Sequence, residues 1–96
     1  MTRATRIALV VTAALAVSAV AARADCLVDY KAKRDRPLQL HYGVIRLDDA
    51  ECADPAQAIA RRIAVEGWTL LTVMGRLSEA DAQERQDDAG AYYLRY

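Results

Sequence analysis

The chain has 96 residues, of which 54% are hydrophobic and 27% are charged, and its 13 basic and 13 acidic residues balance at neutral pH. This length, with no linker long enough to divide the chain, indicates one small domain. Three of the 13 basic residues lie in residues 1–24, so residues 25–96 keep ten basic against 13 acidic residues and carry a net charge near −3. Nucleic-acid binding depends on neutralising phosphates, so we expect no nucleic-acid partner.

Residues 1–24 have the pattern of a cleaved signal peptide. Two arginines precede an apolar run from Ile7 to Val20, and Ala22-Arg23-Ala24 places small residues at a cleavage site. An uncleaved membrane anchor is the alternative, but the apolar run is shorter than the roughly 20 residues of a membrane span. A lipoprotein fits less well, because the acidic Asp25 directly precedes Cys26. Cleavage near Ala24 predicts a periplasmic or secreted domain, residues 25–96, that is not attached to the membrane.

The two cysteines of the exported part, Cys26 and Cys52, predict a disulfide. It would close a loop of 27 residues, which the chain-entropy account values at about 3–4 kcal/mol. There is no C-x-x-C motif to indicate thiol redox chemistry or haem attachment. A metal site formed by both cysteines and His41 would have three ligands at irregular spacing. We therefore expect no metal and no cofactor.

A β-hairpin is predicted at the start of the exported part. The first run alternates, with Cys26, Val28, Tyr30 and Ala32 on one face and Leu27, Asp29, Lys31 and Lys33 on the other. Asp35-Arg36-Pro37 predicts a turn. Lys31, Lys33, Arg34 and Arg36 are interpreted as a solvated strand end and turn rather than an anion site.

The second run, Leu38 to Leu47, continues this hairpin. Its predicted faces are Leu38, Leu40, Tyr42 and Val44 on one side and the more polar Gln39, His41 and Gly43 on the other. Ile45 and Leu47 interrupt that division, which predicts a bulge near Gly43. Pairing Tyr30 roughly opposite Tyr42 brings Cys26 near Arg46, within reach of Cys52.

An amphipathic helix followed by a strand forms the predicted centre of the domain. Asp54 is a suitable N-cap, Pro55 suits the first helical position, and Gly67 can end the helix in a left-handed conformation. Trp68 to Val73 is rich in residues that favour strands, and Trp68 is interpreted as a core anchor.

The last third of the chain predicts a short helix or loop and a final strand. Ser78 begins a capping-box pattern that predicts a short helix through about Arg85. Its apolar face is thin, so the segment is interpreted as a solvated helical turn or mobile loop rather than a core element. Ala91 to Tyr96 is β-prone and predicts a strand antiparallel to Trp68–Met74. The expected fold is α+β, ordered β-β-α-β-(short α or loop)-β, with one main helix packed on a roughly four-stranded, mostly antiparallel sheet.

Part of this pattern resembles a known family. Glu66-Gly67-Trp68 followed by the apolar run to Val73, and later Tyr92-Tyr93-Leu94-Arg95, is similar to the domain of unknown function 4177 family, whose sequences commonly read E-G-W-E-L-V-x-V and then Y-x-L-K-R. The resemblance covers roughly Gln39 to Tyr96, although Thr69 stands where the family often has Glu. It implies a β-α-β-β core and transfers no active-site residue.

The sequence favours a non-catalytic protein-interaction or small-ligand-binding module over an enzyme. His41 is the only histidine and Ser78 the only serine beyond residue 24, and no pattern places a nucleophile beside a base. We therefore predict no catalytic, cofactor or metal residues; the alternative is a hydrolytic or thiol-redox enzyme using His41 or Cys26 and Cys52. Because one helix covers one face of a sheet, five strand tyrosines predict an interaction surface for another protein or for a second copy of the chain. They are Tyr30, Tyr42, Tyr92, Tyr93 and Tyr96.

Overall fold

Three antiparallel strands form the sheet of this α+β protein, and a computed structural model describes residues 25–96. The strands are β1 (Cys26–Arg34), β2 (Gln39–Leu47) and β3 (Thr69–Leu77). Their order in the sheet is β2-β1-β3, so β1 lies in the centre. The predicted signal peptide falls on residues 1–24, which lie outside the described residues.

The hairpin of β1 and β2 has an uninterrupted register, and the predicted bulge near Gly43 is wrong. Tyr30 lies opposite Gly43, one residue from the expected partner, and Cys26 lies opposite Leu47. Alternation along β2 continues unbroken, so Ile45 and Leu47 share the face of His41 and Gly43, and this face is the buried one. Leu38 and Leu40, which the prediction placed on one face with Tyr42 and Val44, are both exposed.

The main helix, α1 (Pro55–Ala64), packs on the face of the sheet that carries Tyr30, here called the helix face. The Asp54 carboxylate accepts a hydrogen bond from the Gln57 backbone N–H, as the N-cap prediction requires. Gly67, with φ of 85°, turns the chain into β3. The main core lies between helix and sheet: Val28, Tyr30, Ala32, Ile45, Leu47, Cys52, Ala58, Ile59, Ile63 and Trp68.

The predicted disulfide between Cys26 and Cys52 is confirmed. A 3-10 turn, Glu51–Ala53, carries Cys52 back to the start of β1. The Arg76 guanidinium on β3 donates a hydrogen bond of 2.8 Å to the Cys52 carbonyl oxygen. The disulfide therefore joins the central strand to the segment that leads into α1.

Two short helices cover part of the opposite face of the sheet, here called the second face. They are α2 (Glu79–Glu84), capped by the Ser78 side chain, and α3 (Gln86–Ala89). A second core cluster forms where the buried Ala82 and Ala89 pack with Leu27 and Val44. The helix predicted after Ser78 is present, but its interpretation as a solvated turn or mobile loop is wrong. Alanines supply little apolar area, yet they let the helices lie close to the sheet.

The tail, residues 90–96, forms no strand beside β3, so the sheet has three strands rather than four. After a 3-10 turn, Gly90–Tyr92, the chain runs along the outer edge of β2. Tyr93 makes a parallel bridge with Val44, and the Leu94 N–H donates to the Val44 carbonyl at 2.8 Å. Leu94 has φ of 55°, which no continuous strand adopts. Within residues 25–96, no helix is long and apolar enough to cross a membrane.

Candidate functional site

An aromatic cluster surrounds His41 on the helix face, and we call it the His41 cluster; it comprises Tyr30, His41, Trp68, Tyr92 and Tyr96. The Tyr30 hydroxyl lies 2.9 Å from His41 Nε2. The ring of Tyr92 stacks on the imidazole with centroids 3.8 Å apart, and Trp68 meets it edge-on at 4.2 Å. Only 8% of His41 is exposed. Local alternation places His41 here, because it points to the same side of β2 as Ile45 and Leu47.

The surroundings of His41 favour a neutral imidazole. Burial lowers the pKa of His41 from 6.5 to about 4, and the positive charges of Arg34 and Arg95 act in the same direction. Its Nδ1 atom is buried and has no hydrogen-bond partner within the described residues. Burial also raises the pKa of Tyr30, so the hydroxyl stays protonated. The pair is thus neutral and hydrogen-bonded at neutral pH.

Polar contacts hold the tail over this cluster. The Tyr96 hydroxyl donates to the Glu66 carboxylate at 2.5 Å, and the Arg95 guanidinium lies 3.3 Å from the same carboxylate. The hydrogen bond from Tyr96 lowers the pKa of Glu66, and the charge of Arg95 lowers it further. Arg62 on α1 donates to the Tyr96 main-chain oxygen at 2.9 Å. The tail is therefore fastened to α1 and to the residues that follow it.

Arg34 fastens the other side of the His41 cluster. Its guanidinium lies 4.2 Å from the centroid of the Trp68 ring, a cation–π arrangement. It also donates to the Glu66 carbonyl at 3.0 Å and to the side chain of Gln39. The sequence interpretation of Arg34 as part of a solvated strand end missed this role. Its contact with Glu66 joins residues that are 32 positions apart in the chain, and no local pattern indicates it.

The His41 cluster has the character of a packed core. Both cysteines are joined in the disulfide, so neither supplies a thiol. Ser78 caps α2, which packs on the second face, whereas His41 lies on the helix face. Among residues 25–96 there is no group of three or more His, Cys, Asp and Glu side chains that could hold a metal ion.

The five tyrosines of the predicted interaction surface lie in two different places. Tyr30 is fully buried, and Tyr92 and Tyr96 are half-buried around His41. On the second face, Tyr42 donates a hydrogen bond of 2.8 Å to the buried Asp29 carboxylate. Tyr93 packs nearby against the second core cluster. The tyrosines therefore do not share one open face.

Exposed leucines, rather than tyrosines, mark the open part of the second face. Leu38, in the turn before β2, and Leu40, on β2, are 64% and 66% exposed, and Leu71 on β3 is 51% exposed. Beside them is a groove of about 290 Å³, lined by Lys31, Ala32, Leu40, His41, Tyr42 and Leu71. We call this site the leucine groove. Helices α2 and α3 cover the other end of this face and leave the groove open.

A β-bulge places Leu71 at the leucine groove. Thr72 pairs with Lys31 and Leu70 pairs with Ala32, so Leu71 is an extra residue between two paired positions of β3. Leu70 packs on the main core, while Leu71 is released to the second face. The sequence alternation of Trp68–Val73 does not reveal this shift, because both residues are leucines.

A second cavity, of about 400 Å³, lies near the start of β1. Its lining is largely charged: Asp25, Arg46, Leu47, Asp48, Asp49, Ala50 and Arg62. Arg46 is paired with Glu79 and Arg62 with Glu51. Although this cavity is larger than the leucine groove, both of its arginines are already paired with carboxylates. The leucine groove is therefore the stronger candidate for a binding site.

The comparisons with known proteins add no relatives. The resemblance to the domain of unknown function 4177 family therefore stays a prediction. No family model, no curated protein and no solved structure matches this chain.

Proposed function

We propose that this protein is an exported, non-catalytic protein-interaction module that binds apolar side chains of a partner in the leucine groove. The observation that carries the proposal is the exposure of Leu40 and Leu71 in the lining of one groove. Exposed apolar side chains that are grouped on one surface are typical of interaction sites. Scattered single leucines would need no such explanation.

The size of the groove admits one or two side chains of a partner and is at the lower end of the sizes of small-molecule sites. Sites for drug-sized ligands usually measure about 300–1,000 Å³, and this groove measures about 290 Å³. One or two apolar side chains of a bound segment suit that space. A free small ligand is the competing occupant, and the experiment below separates the two.

Charge around the groove indicates the kind of segment. Lys31 lines the groove and is exposed, whereas Lys33, on the same face of β1, is paired with Asp35 at 3.5 Å. Arg36 is exposed in the turn beyond. The exported part is acidic as a whole, so this local group of positive charges stands out. We propose a partner segment whose apolar side chains are flanked by Asp or Glu.

Export is part of the proposal and has its own test. The Cys26–Cys52 disulfide supports an oxidising compartment. The intact mass of the protein from a periplasmic fraction should correspond to a chain that begins at Asp25 and has no free thiol. A mass that retains residues 1–24, or two titratable thiols, would contradict export with cleavage near Ala24.

The binding proposal is tested with a photo-crosslinking amino acid in the full chain, placed at position 40 in one variant and at position 65 in another. Val65 is 84% exposed and is not in the groove lining, so it is a matched control. We expect one protein adduct from position 40 and none from position 65.

The crosslinked partner is then purified and its affinity measured by calorimetry. Leu40→Glu and Lys31→Glu should each weaken binding about tenfold or more, while Val65→Glu should leave it unchanged. Equal crosslinking from both positions, or affinity that is unchanged by Leu40→Glu, would reject the groove as the site. An adduct of small-molecule mass from position 40 would replace the protein partner by a small ligand.

A further inference from the structure

The outer edge of β3 is the one sheet edge that no segment of residues 25–96 covers. β3 is an end strand of the order β2-β1-β3. The other end strand, β2, is covered by the tail through the Tyr93 bridge to Val44. An uncovered edge offers main-chain N–H and C=O groups to another strand.

The composition of β3 does not oppose such pairing. From Thr69 to Gly75 the strand carries no charge, and its single charged residue, Arg76, is hydrogen-bonded to the Cys52 carbonyl. Natural edge strands commonly carry lysines or prolines that prevent pairing, and β3 has neither. Two large apolar side chains, Leu71 and Met74, are about half exposed on this strand. Both are the extra residues of its β-bulges with β1.

We propose that β3 pairs antiparallel with β3 of a second copy of this chain, so that two three-stranded sheets form one six-stranded sheet. The strand is nine residues long and centred on Val73. A two-fold axis at Val73 places Thr69 opposite Leu77 and Leu71 opposite Gly75 of the second copy. Antiparallel pairing about such an axis repeats each contact twice.

The contact of Leu71 with Gly75 is complementary in shape. Gly75 pairs with Asp29 and therefore lies on the second face, the face that Leu71 lines. No atom lies within 4 Å of the position that a Cβ of Gly75 would occupy. The Leu71 side chain of the second copy can fill this space. By symmetry, Leu71 of the first copy fills the same space beside Gly75 of the second copy. Cross-strand apolar contacts of this kind add to the main-chain hydrogen bonds.

The dimer would also enlarge the leucine groove. Both copies of Leu71 lie on the same face of the joined sheet, so the two grooves face the same side. This pairing uses the edge of the sheet, whereas the sequence-based expectation was a dimer through its face. It does not depend on the proposed partner, because purified protein alone can be tested.

The test is sedimentation equilibrium of residues 25–96 with the disulfide intact, at protein concentrations up to about 1 mM. We expect the mass to double with concentration, and Leu71→Lys should abolish the doubling because it removes the apolar contact with Gly75 and places a charge on the pairing edge of each copy. Leu38→Lys changes an exposed leucine in the turn between β1 and β2 and should leave the dimer intact. A monomer at all concentrations, or a dimer that is lost with Leu38→Lys and kept with Leu71→Lys, would overturn the proposal.

Hydrogen exchange of the unmodified protein provides a test that needs no variant. In the monomer, the outward N–H groups of β3 have no partner and should exchange rapidly. On dimerisation, protection should rise at least tenfold for amides between Thr69 and Gly75, while β2 amides should not change with concentration. Protection that rises on β2 or on the Leu38 turn instead would identify a different interface and reject edge pairing.

Discussion

A close contact between two residues explains why a glycine lies in the middle of β2. Tyr30 is buried directly across from Gly43. A Cβ atom added to Gly43 would lie 2.6 Å from the Tyr30 hydroxyl oxygen and 2.7 Å from Cζ. The missing side chain therefore makes room for the tyrosine ring, and this position allows the hydroxyl to reach His41.

We predict that Gly43→Ala destabilises the protein because the Tyr30 ring is packed on all sides and cannot move freely. Overpacking of this kind costs about 1–3 kcal/mol. Urea denaturation at pH 7 measures the change, and Leu38→Ala at an exposed position of the same hairpin should stay within about 0.5 kcal/mol. Equal stability of Gly43→Ala and the parent protein would mean that the Tyr30 ring can move aside without a loss of packing.

A second residue-scale prediction concerns pH and His41. Because the folded pKa of about 4 lies below the ordinary value of 6.5, the unfolded chain binds this proton more readily. The stabilising contribution of the neutral imidazole is fully present above pH 6.5 and is lost as the pH falls from about 6.5 through about 4. The slope reaches about 1.4 kcal/mol per pH unit, and the total is about 3 kcal/mol.

The variant His41→Gln isolates this effect. Glutamine can accept the Tyr30 hydrogen bond and does not titrate. The carboxylates of Glu51, Glu66 and Glu79 also have lowered pKa values, each through a hydrogen bond to its carboxylate. They titrate in both proteins, so the difference between the two urea curves at pH 7.0, 5.5 and 4.5 reports His41. A difference that is constant with pH would contradict the buried neutral imidazole.

At the scale of elements, α2 and α3 show how alanines can form a core. Ala82 and Ala89 are almost fully buried against β1 and β2. Arg85, between the two helices, lies 3.7 Å from the buried carboxylate of Asp29. The helices therefore supply both apolar contact and a charge for the one acidic side chain inside the second face.

We predict that Ala82→Asp destabilises the protein by about 2 kcal/mol or more, because it places a carboxylate among apolar side chains. Ala80→Asp introduces the same change two residues earlier, at an exposed position of the same helix, and should alter stability by about 0.5 kcal/mol or less. Thermal and urea denaturation of both variants provide the comparison. Equal effects of the two substitutions on stability would indicate that α2 is a solvated segment, as the sequence suggests.

The elements with local signals were predictable, and those that depend on distant partners were not. Asp54, Pro55 and Gly67 specify α1 through capping chemistry, so the helix and its connection to a strand followed from the sequence. The tail was predicted as a strand because its residues favour β structure, yet it lies along β2 instead of β3. Its position depends on Arg62 and Glu66, which lie about 30 residues earlier and leave no local pattern.

The candidate site was less predictable than the fold. His41 was assigned to a polar face because both His41 and Gln39, its neighbour on that face, are polar. Strict alternation places Ile45 and Leu47 on the same face, and these two residues indicate that it is buried. The leucine groove needs the bulge at Leu71, which arises from pairing with β1. Sequence alternation alone cannot distinguish an inward leucine from its outward neighbour.

At the scale of the whole molecule, the disulfide is the main covalent restraint on a small core. Cys26 and Cys52 are separated by 26 residues, and the chain-entropy account gives about 3–4 kcal/mol for a loop of that length. We predict that the double variant Cys26→Ala, Cys52→Ala loses this amount in urea denaturation. Dithiothreitol should reduce the stability of the parent protein similarly and leave the variant unchanged. Little change in both experiments would show that the packed core is sufficient alone.

The central position of β1 has a consequence for the order in which the fold assembles. The β1–β2 hairpin closes a turn of four residues, whereas β3 must reach β1 across about forty residues of chain. Because closing a longer loop costs more conformational entropy, we expect the hairpin to form first and β3 to dock last, after α1. Until β3 docks, a strand of another molecule can pair with the free edge of β1 in its place. This topology therefore makes the domain prone to misassembly by strand exchange between molecules.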